Sequence, residues 1–303
     1  MHDIIIIGGG PAGLTAAVYG RRAGKTVLVI EKNGFGGQIA WSPRVENFPG
    51  TVSISGAELG DAMLNQAMEQ GADVELEEAV SVEKGDFFTV RCAGGASFDS
   101  RALIIAAGAR PRMLGLPGEE KLTGSGVCYC AVCDGAFFSG KTVAVSGGGN
   151  SALQDAMLLS EKCEKVYLIH RRSSFKGEQR LVEALQQKKN VEILLESTVT
   201  ALIGSNELEG IEVQQGCGKR IIPLSGLFVA VGHRADNEIF KNLIALDEAG
   251  YADSGEDCST LTAGVFAAGD CRKKTVRQVA TACADGAVAA LGACSYIDSL
   301  KNP

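Results

Sequence analysis

The chain has 303 residues, of which 46% are hydrophobic and 21% charged, with 39 glycines and 7 prolines; this suits about two folded domains and excludes disordered and fibrous classes. A net charge of -7, with Lys and Arg dispersed except at Arg171-Arg172 and Arg272-Lys273-Lys274, disfavours nucleic acid as the main partner. No apolar run approaches the roughly 18 residues of a membrane span, and Met1-His2-Asp3 leads into Ile4 to Ile7 with no basic segment or cleavage site, so the expected setting is cytoplasmic with no membrane.

In chain order, Ile4 to Ile7 reads as a buried strand, Gly8-Gly9-Gly10-Pro11-Ala12-Gly13 as a turn, and Thr26 to Ile30 as a second strand after a helix-length segment. In Gly8-x-Gly10-x-x-Gly13 the first glycine permits the turn, the second lets the backbone approach a pyrophosphate, and the third lets the helix pack on the strand. The free amides and positive end of that helix then face the phosphates. Glu31, about twenty residues past the glycines, can accept hydrogen bonds from ribose hydroxyls and would repel a 2′-phosphate. This first site suits an adenine nucleotide without that phosphate.

Strand-like pieces follow at Phe87 to Cys92 and Ala102 to Ala107, the latter ending in Ala106-Ala107-Gly108-Ala109-Arg110-Pro111, read as a crossing between domains. Beyond it stands Cys130-Ala131-Val132-Cys133-Asp134. The first unit then repeats: Thr142 to Val145 as strand, Gly147-Gly148-Gly149-Asn150-Ser151-Ala152 as turn, and Lys165 to Ile169 as second strand. Ala152 replaces the third glycine, which the fingerprint tolerates. The offset that carries Gly8 onto Gly147 carries Glu31 onto His170, which opens His170-Arg171-Arg172 with Lys176 beyond. Guanidinium groups bind a phosphate dianion by charge and paired hydrogen bonds, so the second site suits NADPH. Leu224 to Val231, followed by Gly232-His233, reads as the return crossing. The first domain resumes near Phe240 and ends with Gly264-Val265-Phe266-Ala267-Ala268-Gly269-Asp270, a strand leading to a turn and helix.

Ten cysteines are too dilute for a disulfide scaffold, and most are expected to be reduced and buried. Cys130 and Cys133 differ: their sulfurs can meet in one turn, a following helix would lower a thiol pKa through its dipole, and Asp134 can donate and accept the proton of thiol exchange. A zinc site would need two further ligands; only Cys128 is near, and His2, His170 and His233 form no ligand-like group.

Along nearly the whole chain the sequence resembles the low-molecular-weight, bacterial-type thioredoxin reductases of the FAD-dependent pyridine nucleotide-disulfide oxidoreductase family. The matching segments are Gly8 to Ala17, Gly36-Gly37-Gln38, Glu46-Asn47-Phe48-Pro49-Gly50, Ala107 to Pro111, Cys130 to Gly135, Gly147 to Ala152, His170-Arg171-Arg172, and Gly264 to Asp270 with Arg277-Gln278. The resemblance implies an α/β fold of two Rossmann-like domains in three ββα layers. An NADPH and disulfide domain at 112–238 would be inserted between the two parts, 1–111 and 239–303, of an FAD domain.

It also implies FAD over Gly8, Gly10, Pro11, Ala12 and Gly13, with Glu31 at the adenosine ribose, Gly37, Gln38, Asn47 and Ala107 near the flavin, and Gly269, Asp270, Arg277 and Gln278 at the ribityl and ring end. NADPH would meet Gly147, Gly149, Asn150, Ser151, Arg171, Arg172 and Lys176. Cys130 and Cys133 would be the redox disulfide, Cys133 facing the flavin, and Asp134 the acid-base group. The partner would be thioredoxin or a thioredoxin-like protein and the assembly a homodimer. The small domain would turn on its crossings to present nicotinamide and disulfide in succession.

This sequence departs from the family pattern in carrying Lys176 where a third arginine is common, Ala40-Trp41-Ser42-Pro43-Arg44 in place of a small, threonine-rich stretch, and a third thiol at Cys128. Alternatives stay open at both ends of the electron path, ferredoxin as donor or another small dithiol protein as acceptor. A flavin-bound redox sensor is a further alternative, against which Asp134 argues.

Overall fold

Two parallel sheets, each opened by a strand, a glycine turn and a helix, organise the computed structural model, which describes residues 1–300. The first stretch comprises β1 (His2–Ile7), α1 (Pro11–Arg22), β2 (Val27–Glu31), α2 (Gly56–Glu69), β3 (Asp73–Leu76), β4 (Ala79–Lys84), β5 (Phe88–Cys92), β6 (Ser97–Ile105) and β7 (Ala109–Pro111). The middle stretch holds α3 (Glu119–Leu122), β8 (Val127–Cys128), α4 (Ala131–Asp134), β9 (Thr142–Gly147), α5 (Asn150–Ser160), β10 (Lys165–Ile169), α6 (Gln179–Gln186), β11 (Val191–Leu194), β12 (Ser197–Ile203), β13 (Gly210–Gln215), β14 (Gly218–Pro223) and β15 (Gly226–Ala230). β16 (His233–Ala235), β17 (Val265–Ala267) and α7 (Val279–Ser299) complete it. The chain divides into two compact units, Met1–Arg110 with Arg234–Pro303, and Pro111–His233.

In the first unit the parallel strands run in the order β3-β2-β1-β6, with β17 on the far side of β6. Both faces are covered, which is why Ile4 to Ile7 is continuously apolar rather than alternating. Ile4 and Ile6 face the layer of α1 and α7 with Leu14, Ala289 and Ala293; Ile5 and Ile7 face Val82, Val90 and Phe240 on the other side. The start of β6 pairs antiparallel with β5, and its end pairs parallel with β1.

The second unit repeats this order as β11-β10-β9-β15-β8, all parallel. Val143, Val145 and Phe228 pack with Leu153, Ala156 and Leu159 of α5, while Ala144, Leu227 and Val229 pack with Val199, Ile211 and Ile222 of the antiparallel β12-β13-β14 layer. The result is three layers, helix, parallel sheet and antiparallel sheet.

One expectation is corrected here. α7 is, by length and composition, apolar enough to cross a membrane, being 21 residues rich in alanine with Asp285 and Asp298 as its charged residues. Its Ala282, Ala289, Ala290, Ala293 and Ile297 are buried, the pattern of a helix packed in a core.

α7 approaches α1 closely at Gly286, where a Cβ would lie 2.1 Å from the Ala12 carbonyl oxygen. Gly286→Ala should lower the urea midpoint and cost about 2 kcal/mol, because overpacking against rigid backbone outweighs the roughly 1 kcal/mol gained in helix propensity. A midpoint equal to or above the parent's would show that the two helices can separate freely.

Candidate active site

In the first unit three turns stand side by side because they leave the carboxyl ends of adjacent parallel strands: Ile7 is in register with Ile105, and Ile105 with Ala267. Open α/β sheets bind ligands at such ends. Gly8 and Gly9 follow β1, Gly10 is the N-cap of α1 with no side-chain cap, and Pro11 is its first residue. Ala12 and Gly13 are buried, and a Cβ on Gly13 would meet the Gly8 carbonyl oxygen at 1.9 Å, so the turn closes only with glycine there.

Glu31 ends β2 and accepts the Gly9 N–H at 2.7 Å, with Asn33 N–H on its other oxygen at 2.9 Å. Gly37 opens a 3-10 turn, Gly37–Trp41, that passes beside Gly10. Gln38 donates to the carbonyl of Ala109, and Ala107 is half-buried just past β6. Asn47 donates to the side-chain oxygen of Gln278, the N-cap of α7, at 3.2 Å. Gly269 and Asp270 lie in a 3-10 turn after β17; the expected helix begins only at Val279. Arg277 stacks on Tyr251 with 4.3 Å between the guanidinium carbon and the ring centroid, and its Nε donates to the Asp270 carbonyl at 3.5 Å.

These residues fit a flavin nucleotide. The N-terminal amides of α1 are free for a pyrophosphate. Asp270 Oδ1 is buried without a hydrogen-bond partner, as an acceptor reserved for a ligand hydroxyl would be.

The second unit repeats the pattern. Gly147 ends β9, Gly149 is the uncapped N-cap of α5, and Asn150 and exposed Ser151 begin the helix. Asn150 is engaged with Glu178, accepting its N–H at 2.7 Å. His170 follows β10 as Glu31 ends β2, and its ring fills the space over Gly148. It stacks on Phe175 at 5.1 Å and contacts the Ser174 carbonyl oxygen through Nε2 at 3.0 Å. Burial, aided by the charges of Arg172 and Arg171, lowers its pKa and keeps the imidazole neutral. Arg171, Arg172 and Lys176 are exposed, and the Lys176 N–H donates to Gly148 O at 2.8 Å. Exposed cations beside an uncapped helix start fit a phosphorylated dinucleotide.

Cys130 and Cys133 form a disulfide, with 5.3 Å between their Cα atoms. Cys130 is the N-cap of α4, and its sulfur accepts the Cys133 N–H at 3.2 Å. In place of the helix expected after the pair there is a single α turn, Ala131–Asp134, that includes Cys133, and then a 3-10 turn, Gly135–Phe138; the dipole available to the thiols is short. Cys128, on the edge strand β8, is buried, and burial with the neighbouring Asp134 charge raises its thiol pKa well above the usual value. Asp134 itself is raised to about 6 by burial, against a hydrogen bond from Cys128 that favours the carboxylate. Asp155 on α5 is also raised to about 6 by burial. It went unread in the sequence, although a carboxylate three residues beyond Ala152, on the buried side of a helix, is a legible signal.

The shift of Asp134 carries a sign. Its folded value exceeds the ordinary 3.8, so the folded protein holds a proton that the unfolded chain releases between about pH 4 and 6; this favours folding below that window and fades as pH rises through 6. Asp134→Asn should therefore gain about 1 kcal/mol relative to the parent between about pH 4 and neutral pH, after discounting for solvent access. Urea denaturation at both values measures it, and an unchanged difference would refute the burial argument.

Comparison with known proteins places the chain. The family profile for pyridine nucleotide-disulphide oxidoreductases matches residues 2–286. A thioredoxin reductase of Listeria monocytogenes is 40% identical over 305 residues, covering 100% of this chain and 96% of that protein. One from Bacillus subtilis is 39% identical over 306 residues, with the same coverage of each chain. The crystal structure of thioredoxin reductase from Streptococcus pyogenes superposes with a TM-score of 0.93 at 35% identity, covering 99% of both chains. The chain belongs to the pyridine nucleotide-disulphide oxidoreductase family, among the thioredoxin reductases, enzymes that use FAD and NADPH.

Proposed function

We propose that this protein reduces the disulfide of thioredoxin or a thioredoxin-like protein with NADPH, acting in the cytoplasm as a homodimer. The observation that carries the reading is the Cys130–Cys133 disulfide with Asp134 beside it, in the unit that also holds the second glycine turn and its cations. Overall, NADPH, a proton and the partner disulfide become NADP⁺ and the partner dithiol.

The first unit is assigned FAD, which when bound supplies a two-electron carrier between nicotinamide and disulfide. Gly8, Gly10, Pro11, Ala12 and Gly13 would hold its pyrophosphate, and Glu31, by bonding Gly9, would fix the turn while meeting the ribose. Gly37, Gln38, Asn47, Ala107, Gly269, Asp270, Arg277 and Gln278 would hold the flavin end. In the second unit Gly147, Gly149, Asn150 and Ser151 would seat the NADPH pyrophosphate, and Arg171, Arg172 and Lys176 its 2′-phosphate. Cys130 and Cys133 would exchange with the partner, Cys133 facing the flavin. With a pKa of about 6, Asp134 can move a proton at near-neutral pH. One unit carrying both dinucleotide and disulfide implies that it turns on its crossings to present each in succession.

Anaerobic titration of the yellow protein with NADPH should bleach the flavin absorbance faster than NADH does, and oxidised thioredoxin should restore it. Bleaching by neither nicotinamide would reject the donor and point to ferredoxin. Cys133→Ser should abolish thioredoxin reduction while leaving FAD bound and reducible by NADPH; loss of flavin reduction too would misplace the pair. Arg171→Ala and Arg172→Ala should each raise the KM for NADPH by about 10-fold with little change in kcat. Steady-state kinetics with NADPH and NADH checks this, since the NADH values should hardly move.

A further inference from the structure

Asp285, in the second turn of α7, is a buried carboxylate holding three donors. Arg272 binds it through Nε at 2.8 Å and Nη2 at 3.1 Å, Lys274 through Nζ at 2.8 Å, and the Gly269 N–H donates at 3.0 Å. All three charged side chains are about one-tenth exposed. Burial alone would raise the pKa of Asp285, but the bonds from Arg272 and Lys274 outweigh it and hold the group ionised. The remaining Arg272 nitrogen, Nη1, donates to the carbonyls of Ser254 and Gly255 at 3.3 and 3.0 Å.

Asp270 stands next to Gly269, and its situation is the reverse. Its Oδ1 is buried with no partner among the described residues, although Arg272, Lys274 and Arg277 follow closely in the chain. Arg277 is drawn off onto the Tyr251 ring and the Asp270 carbonyl. Arg272 and Lys274 are drawn off by Asp285. Removing one member of a buried ion cluster leaves uncompensated charge that seeks a nearby counter-ion, and Asp270 lies near enough to Lys274 to feel its charge.

We propose that Asp285 is a positioning residue for the flavin: by gathering Arg272 and Lys274 and fixing the Gly269 amide, it keeps the Asp270 carboxylate free to accept hydrogen bonds from the ribityl hydroxyls. This rests on the assignment of Asp270 to the flavin. The cluster is thus a guard on an acceptor, and its charge matters more than its shape.

Asp285→Asn tests this, since it keeps size and the acceptor for Gly269 but drops the charge. Titrating FAD into apoprotein, followed by flavin fluorescence quenching, should show affinity at least about 10-fold weaker than the parent's. NADP⁺ binding to the other unit and the circular dichroism of the apoprotein report folding. In Asp285→Asn with Lys274→Met, removal of a released cation should recover affinity, whereas a mere staple between α7 and the turn would be weakened further. Parent-like affinity in Asp285→Asn, or weaker binding in the double variant, would overturn the proposal.

Should Asp285→Asn not fold, the uncharged triple variant Asp285→Leu, Arg272→Leu, Lys274→Met takes its place. It should fold and bind FAD within about 10-fold of the parent; failure to fold, or folding without FAD binding, overturns the guard role. Asp270→Ala binding FAD like the parent would instead reject the assignment of Asp270 itself, a separate failure.

Discussion

Both nucleotide turns depend on one constraint: a helix must begin with its amides bare, so the turn before it has to be held by something other than a cap. Gly10 and Gly149, the N-caps of α1 and α5, offer no side chain. In each unit the support comes from the residue at the end of the second parallel strand, the last of β2 or the first past β10. Glu31 takes the Gly9 N–H, and His170 lays its ring over Gly148. The chemistry differs while the position is conserved between the two halves. The first unit uses a carboxylate, and the second an imidazole whose pKa is lowered by burial and by Arg172 and Arg171.

The same economy governs buried charge. Asp285, Asp270, Asp134 and Asp155 are all buried to a substantial degree, yet of these four only Asp285 is hydrogen-bonded by cations, and only it is held below the ordinary carboxylate range. Desolvation dominates the other three and raises them. A fold that leaves carboxylates so poorly compensated gives up stability there, and such sites are where proton transfer or ligand binding is expected.

Much of this was legible in the sequence because its signals are local. The apolar run Ile4 to Ile7 is possible only for a strand buried on both faces, and glycine spacing marks both turns. The pairing of Cys130 with Cys133 and the proximity of Asp134 follow from five successive positions. What was not legible depends on distance along the chain. The β12–β14 layer is an edge sheet whose outer strand, with Ile221 exposed, blurs the alternation that would announce it. The Asp285 cluster joins residues on either side of the long approach to α7, and composition describes those residues only as charges. The degree of burial that lifts Asp134 is likewise a property of packing.

The disulfide and the second glycine turn hang from the same end of one sheet. Cys128 ends β8, Gly147 ends β9, and only β15 separates them, so the two groups emerge about two strand spacings, ~10 Å, apart. They are mounted on one plate. The sheet carries the disulfide and the glycine turn as one body, so whatever moves this unit moves both together.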